Sequence, residues 1–132
     1  MSLVVDASVL VAALVDAGPA GRWAEERLVS GMLAAPELAQ AEAANVLRRL
    51  QIAGKLRRAE ADAAYDDLLQ LRVEWYPFEP FASRIWELRH DVSCYDAWYV
   101  ALAEALELPL ATLDGKLSRA HGPSCAFLTP PR

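Results

Sequence analysis

Only two cysteines, Cys94 and Cys125, occur in the 132-residue chain. They form no CxxC pair, and neither histidine is spaced to complete a zinc site with them. A disulfide framework and a structural zinc are therefore both excluded. Long apolar runs are missing too: the longest nearly uncharged stretch, Ala7 to Val15, is bracketed by Asp6 and Asp16. That is far short of the ~20 residues that span a bilayer. The first five residues carry no Lys or Arg and Asp6 interrupts the apolar start, against a secretory signal. A cytoplasmic protein with no membrane partner is expected. Positive charge is also scarce, with 13 Lys and Arg against 18 Asp and Glu and a net charge of -5. Nucleic-acid binding by bulk charge alone is excluded. There is no internal repeat and no low-complexity segment.

What the chain does have is apolar content, 55% of its residues. A single domain over residues 1–132 is large enough to bury about two thirds of its unfolded surface. "LVVD" (3–6) reads as a strand ending in Asp, and "ASVLVAALV" comes next with helical spacing. Gly18-Pro19 breaks that helix, a second runs over 20–30, and "MLAAP" (32–36) is a strand whose Pro36 sits where the next helix can begin. That helix reaches Gly54, a stop signal. Further helices are expected over 59–71, 78–89, 93–106 and 114–120, and further strands over 73–77, 110–113 and 126–129. Short apolar strands separated by helices predict an α/β fold with three α/β/α layers and a mostly parallel sheet.

Four acids recur at comparable places. Asp6 and Asp114 each end a strand and precede a helix, where a carboxylate caps free N–H groups; the same edge of an open α/β sheet is where ligands bind. Asp114-Gly115 also fits a hairpin turn, but residues 115–120 do not alternate like a returning strand. Ser93-x-x-Asp96 fits a capping box. Glu42 lies inside a helix and caps nothing; it borders the stripe of Leu38, Ala39 and Val46, beside Asn45 and before Arg49. Singly, each has a structural explanation. Together at one sheet edge they would repel, by about 4 kcal/mol per pair at ~4 Å and an effective dielectric near 20. Such a cluster needs a cation, and an all-oxygen donor set selects a hard one, Mg²⁺ or Mn²⁺.

Arg48, Arg49, Lys55, Arg57 and Arg58 form a local basic cluster, with no acid between Glu42 and Glu60. It reads either as a solvated helix end or as a contact for RNA phosphates. Cys94 carries no assigned chemistry. Asp91 is expected to end the preceding helix, and His90 and His121 have no nucleophile to pair with.

"VVDASVL", "APELAQAEAANVLRR", "SCYDAWYVALAEAL" and "LATLDGKL", in this order and at these separations, resemble the PIN-domain ribonucleases, in particular the VapC-like toxins of bacterial type II toxin–antitoxin pairs. The resemblance covers nearly the whole chain. It implies a PIN-like fold in which Asp6, Glu42, Asp96 and Asp114 hold one or two Mg²⁺ or Mn²⁺ ions and carry the catalysis. Ser8 and Thr112 match polar residues lining that site, with Asn45 beside Glu42. The implied reaction is metal-dependent hydrolysis of RNA phosphodiester bonds. The implied partners are an RNA substrate, a cognate VapB-like antitoxin and a second copy in a homodimer or a higher toxin–antitoxin assembly. The apolar helices at 20–30 and 59–71 offer surfaces for them.

Three other readings compete. One is a non-catalytic PIN-like domain that binds RNA or protein, and another is a stand-alone RNA-processing PIN nuclease. The third, a phosphoaspartate enzyme or receiver built on Asp6, is disfavoured: dehalogenase-type phosphatases place a second Asp where Ser8 stands, and Lys116 alone is a poor match to a receiver.

Overall fold

The computed structural model describes residues 1–131. Strand β1 (Leu3–Val5) is succeeded at once by α1 (Ala7–Val15), with Asp6 as N-cap accepting from the Val9 N–H. Helix α2 (Pro19–Leu28) has Pro19 at its first position, where its fixed φ suits a helix start and its missing N–H costs nothing. The α1–α2 turn is tight: a Cβ on Gly21 would lie 1.7 Å from the Asp16 carbonyl oxygen. Only glycine allows that approach.

Strand β2 (Leu33–Pro36) leads into α3 (Leu38–Ile52). Pro36 therefore closes the strand and does not open the helix, because it pairs with Tyr76 of the neighbouring strand. Gly54 stops α3 as expected. At φ 77° it adopts the left-handed conformation, and the Gly54 and Lys55 N–H groups bond back to the Gln51 and Leu50 carbonyls at 3.0 and 2.8 Å.

Helix α4 (Arg58–Gln70) and strand β3 (Val73–Tyr76) come next. The helix expected over 78–89 is split into a 3₁₀ turn (Glu79–Phe81) and α5 (Ala82–Glu87). Pro80 explains the split, since it donates no N–H and favours the start of a helix over its interior. Helix α6 (Cys94–Leu106) ends with Glu107 left-handed at φ 55°, and β4 (Leu110–Ala111), α7 (Gly115–Ser118) and β5 (Phe127–Leu128) complete the order.

The sheet order is β3-β2-β1-β4-β5, and all four pairings are parallel. The expected mostly parallel sheet is thus wholly parallel. Helices α1 to α4 pack on one another, whereas α5 packs on α6, which lies against β1, β2 and β4. This is the three-layer arrangement. Its core is aliphatic, centred on Val4, Val5, Leu10, Val100, Leu102 and Leu110, each fully buried. Among the described residues no helix is long and apolar enough to cross a membrane.

Strand order positions the site. From β1 the chain moves to β2 and β3 on one side, then returns to place β4 on the other. The crevice between the carboxyl ends of β1 and β4 is therefore the switch point at which open α/β sheets bind ligands. Asp6 comes directly after β1 and Thr112 directly after β4, so the two line that crevice.

Candidate active site

Among the described residues, Asp6 and Thr112 are the polar side chains buried within the core, at 8% and 0% exposure. The Asp6 carboxylate is fully engaged. Ser8 Oγ and the Val9 N–H donate to Oδ1, the latter at 3.2 Å, and Thr112 Oγ1 donates to Oδ2. Both hydroxyls also accept, Ser8 from the Leu113 N–H at 3.1 Å and Thr112 from the Asp114 N–H at 2.9 Å. Ser8 and Thr112 thereby lock the β4–α7 segment to the start of α1. Burial raises the Asp6 pKa above the usual carboxylate range, against the pull of the Ser8 and Thr112 hydroxyls.

Asp114 caps α7, its Oδ1 accepting from the N–H groups of Lys116 at 2.9 Å and Leu117 at 3.1 Å. Asp96 lies in the first turn of α6. Only half of the expected capping box forms among the described residues: Ser93 Oγ accepts the Asp96 N–H at 3.1 Å, and no bond runs from the Ser93 N–H to the Asp96 carboxylate. Burial raises its pKa, and the negative charges of Asp114, Asp6 and Glu42 raise it further, in that order. Each of the other three acids is thus close enough for Asp96 to feel its charge.

Glu42 projects from the second turn of α3, and Tyr99 donates its phenolic O–H to Glu42 Oε1 at 2.6 Å. Tyr99 is 2% exposed and lies one turn after Asp96 on α6. Burial, then the bond to Glu42, pushes the phenol pKa well above its ordinary value, so it stays a donor. The role of Tyr99 is not legible in the sequence, where its spacing from Asp96 marks it only as part of a packed stripe. The available signal is a phenol within the otherwise aliphatic buried stripe of Ala97, Val100, Ala101, Leu102 and Ala103.

Two depressions flank these acids. The larger, about 580 Å³, is lined by His90, Asp91, Ser93 and Asp96 on one wall and by Asp114, Lys116, Arg119 and His121 on the other. The smaller, about 270 Å³, contains Glu42 and Asn45 beside Leu38 and the exposed ring of Tyr95. Lys116 and Arg119 are not marked as contacts by any sequence pattern. The five cations that the sequence does mark lie elsewhere: Arg48 and Arg49 are in the second half of α3, and Lys55, Arg57 and Arg58 come after its end. At 1.5 Å per residue, Arg49 is roughly 10 Å along the helix from Glu42. Arg57 is also occupied locally, its backbone N–H and Nε donating to Glu60 Oε1 at 2.9 and 3.2 Å. Cys94 is exposed beside Tyr95. Asp91 stands in the turn after α5, which ends four residues earlier.

As the side chains stand, no group of three His, Cys, Asp or Glu residues able to hold a metal ion forms among the described residues. Asp6 is held by hydroxyls, Asp114 by the backbone of α7 and Glu42 by Tyr99, while Asp96 is repelled by all three. The donor chemistry nevertheless fits a hard divalent cation, because it is all oxygen and, among the described residues, none of the four acids forms an ion pair, although Lys116 and Arg119 line the adjoining groove.

A family model for the PIN domain matches residues 3–123, and the chain belongs to that family. Ribonuclease VapC1 of Mycobacterium tuberculosis is 40% identical over 123 residues, which cover 92% of each chain. The crystal structure of PAE2754 from Pyrobaculum aerophilum is similar with a TM-score of 0.70 and 25% identity, over 96% of this chain and 83% of that one. VapBC-5 from Mycobacterium tuberculosis, of the VapBC family of toxin–antitoxin systems, has the same fold, with a TM-score of 0.58 and 21% identity over 97% and 96% of the two chains.

Proposed function

We propose that the protein is a Mg²⁺- or Mn²⁺-dependent endoribonuclease acting as the toxin of a toxin–antitoxin pair in the cytoplasm. The observation that carries this reading is the convergence of acids at the β1–β4 crevice: Asp6 directly follows β1, Asp114 caps the helix after β4, and Asp96, raised in pKa first by its burial and then by the charges of Asp114, Asp6 and Glu42, lies among them. Crowded like charges are costly in a site without a cation, and the similarity to Ribonuclease VapC1 names RNA as the substrate class.

Asp6, Glu42, Asp96 and Asp114 would hold the ion. When bound, it lowers the pKa of a water and stabilises charge on the phosphate. The chain's own residues do the rest. Ser8 and Thr112 fix Asp6, Ser93 fixes the turn carrying Asp96, and Lys116 and Arg119 are placed to neutralise phosphates entering the larger groove. Tyr95 and Asn45 offer a ring and an amide to an unstacked base beside Glu42. Arg48, Arg49, Lys55, Arg57 and Arg58 would reach only RNA that continues along α3 and past its end. The partner inhibiting the enzyme is a VapB-like antitoxin, a reading supported by the shared fold of VapBC-5, and the working unit is a homodimer or a larger assembly with that antitoxin.

The test is cleavage of a mixed cellular RNA pool by wild type and Asp96→Asn, each with Mg²⁺, Mn²⁺ or EDTA. Metal-dependent cutting by wild type alone is expected. Equal cutting by both proteins removes Asp96 from the site, and cutting that persists in EDTA removes the metal.

A further inference from the structure

Gly115 opens α7, and Arg119 comes four positions later, one turn further along the same face. Side chains on a helix lean back towards its N-terminus, so Arg119 lies over Gly115. The fit is close: a Cβ on Gly115 would stand 2.9 Å from Arg119 Nη1, with Cζ and Nη2 at 3.8 and 3.9 Å. At Gly21 the corresponding obstruction is backbone, whereas at Gly115 it is the free end of a side chain. The guanidinium rests where any other residue at 115 would place its first carbon.

This seat leaves Arg119 uncommitted. Arg84 donates to Glu104, Arg57 to Glu60 and Arg89 to the Trp86 carbonyl. Arg119 forms no ion pair among the described residues, even with the nearby Asp114, whose Oδ1 caps α7. It lines the larger groove with Lys116, and Ser93 and Asp96 line the opposite wall.

We propose that Gly115 is a positioning residue: because it has no side chain, it seats Arg119 as the fixed phosphate-binding fork of the groove. This rests on the reading of the groove as an RNA site. Acids at the crevice repel an incoming phosphate, and a cation held at the rim offsets that repulsion. A guanidinium suits the task, because its planar donors meet two phosphate oxygens at once and it stays charged. Held over Gly115, it gives up less rotamer freedom on binding than a free chain such as the exposed Lys116. The denser basic run at Arg48 to Arg58 has no such seat: nothing lies within 4 Å of a Cβ position on Gly54, its one glycine. Gly115 does not adopt the left-handed conformation, so alanine suits its backbone and displaces only the guanidinium.

The experiment is fluorescence anisotropy of a labelled, mixed-sequence single-stranded 2′-O-methyl RNA with the full chain, over a salt series, in Mg²⁺ and in EDTA. Wild type, Arg119→Ala, Gly115→Ala and the double variant are compared, with thermal unfolding of each. Arg119→Ala is expected to weaken binding by about threefold or more and to lower the slope of log affinity against log salt by ~0.7, the loss of one phosphate contact on a single strand. Gly115→Ala keeps every charge and unfolds no earlier than wild type, yet weakens binding by about twofold or more because the fork is no longer held. In the Arg119→Ala background it has no further effect, since the coupling runs through that side chain. Wild-type binding by Arg119→Ala or by Gly115→Ala overturns the inference, as does an equal loss from Gly115→Ala when Arg119 is absent. Earlier unfolding of Gly115→Ala overturns it too, because backbone and not Arg119 would then fill the space. If wild type binds the RNA in neither Mg²⁺ nor EDTA, the RNA reading of the groove fails first and the inference with it.

Discussion

Thr112 Oγ1 donates to Asp6 Oδ2 across 106 positions of sequence, joining the carboxyl ends of β1 and β4 inside the core. This bond anchors the most buried of the four acids. Thr112→Val keeps the shape of the side chain and removes its hydroxyl, so a buried carboxylate loses one of its three partners and the Asp114 N–H loses its acceptor. The expected loss is about 1–3 kcal/mol in urea unfolding at neutral pH. The Thr112 hydroxyl favours the ionised form of Asp6, so the deficit should shrink once acid protonates the carboxyl. A deficit that is the same at acid and neutral pH would mean that packing or the Asp114 N–H bond, and not the bond to Asp6, sets the loss.

Asp96→Asn should stabilise the metal-free protein in a pH-dependent way. The folded pKa of Asp96 is raised above its ordinary value of 3.8, so the folded state binds more protons than the unfolded state between the two values. Stability of wild type therefore falls as pH rises through that window. Below it the variant gains nothing. Above it the variant is more stable by about 1 kcal/mol or less, because the group is half exposed and solvent screens it. Thermal unfolding of both proteins from acid to neutral pH measures the gap, and a gap with the opposite sign would contradict the crowding of charge at Asp96.

The pair of Arg84 and Glu104 carries the opposite pH signature. Arg84 Nε and Nη2 donate to Glu104 Oε1 and Oε2 at 2.7 and 3.1 Å, Nη2 also donates to the Gly122 carbonyl, and the Ser124 N–H donates to Glu104 Oε2. The pair thus pins the 121–125 loop, which carries His121 to the groove, onto α5 and α6. Burial alone would raise the Glu104 pKa, but Arg84 and Ser124 outweigh it and lower it below 4.5. Its contribution is present above 4.5 and is lost as pH falls through the lowered folded value. Glu104→Gln should cost about 1–2 kcal/mol at neutral pH and less in acid, measured by urea unfolding.

Most of the fold is legible in the sequence because its strands are apolar, short and bounded by clear breakers. Gly54 and Gly18-Pro19 act where the residue chemistry says they must. Pro36 misleads because its position in β2 depends on pairing with β3, a contact 40 residues away that no local pattern encodes. The four acids are legible from their strand-end and helix positions, but their relative placement is not. Strand order creates the crevice between β1 and β4, and strand order is a property of tertiary pairing. The groove cations show the same limit: the dense run at Arg48 to Arg58 stands out in the chain, while Lys116 and Arg119, sparse in sequence, line the groove. Tyr99 is hidden by its own burial, since a packed aromatic and a packed aromatic with a working hydroxyl look alike in sequence.

The 106-position span between Asp6 and Thr112 also bears on synthesis. A ribosome releases Asp6 first, then Glu42, then Asp96, and none of these can be assembled into a crevice until β4 has been added beside β1. Until residue 96 has been added the nascent chain carries at most two of the four acids, and Asp114 comes only after β4. A chain that stops before β4 therefore lacks the far side of the crevice, Thr112 and Asp114 together.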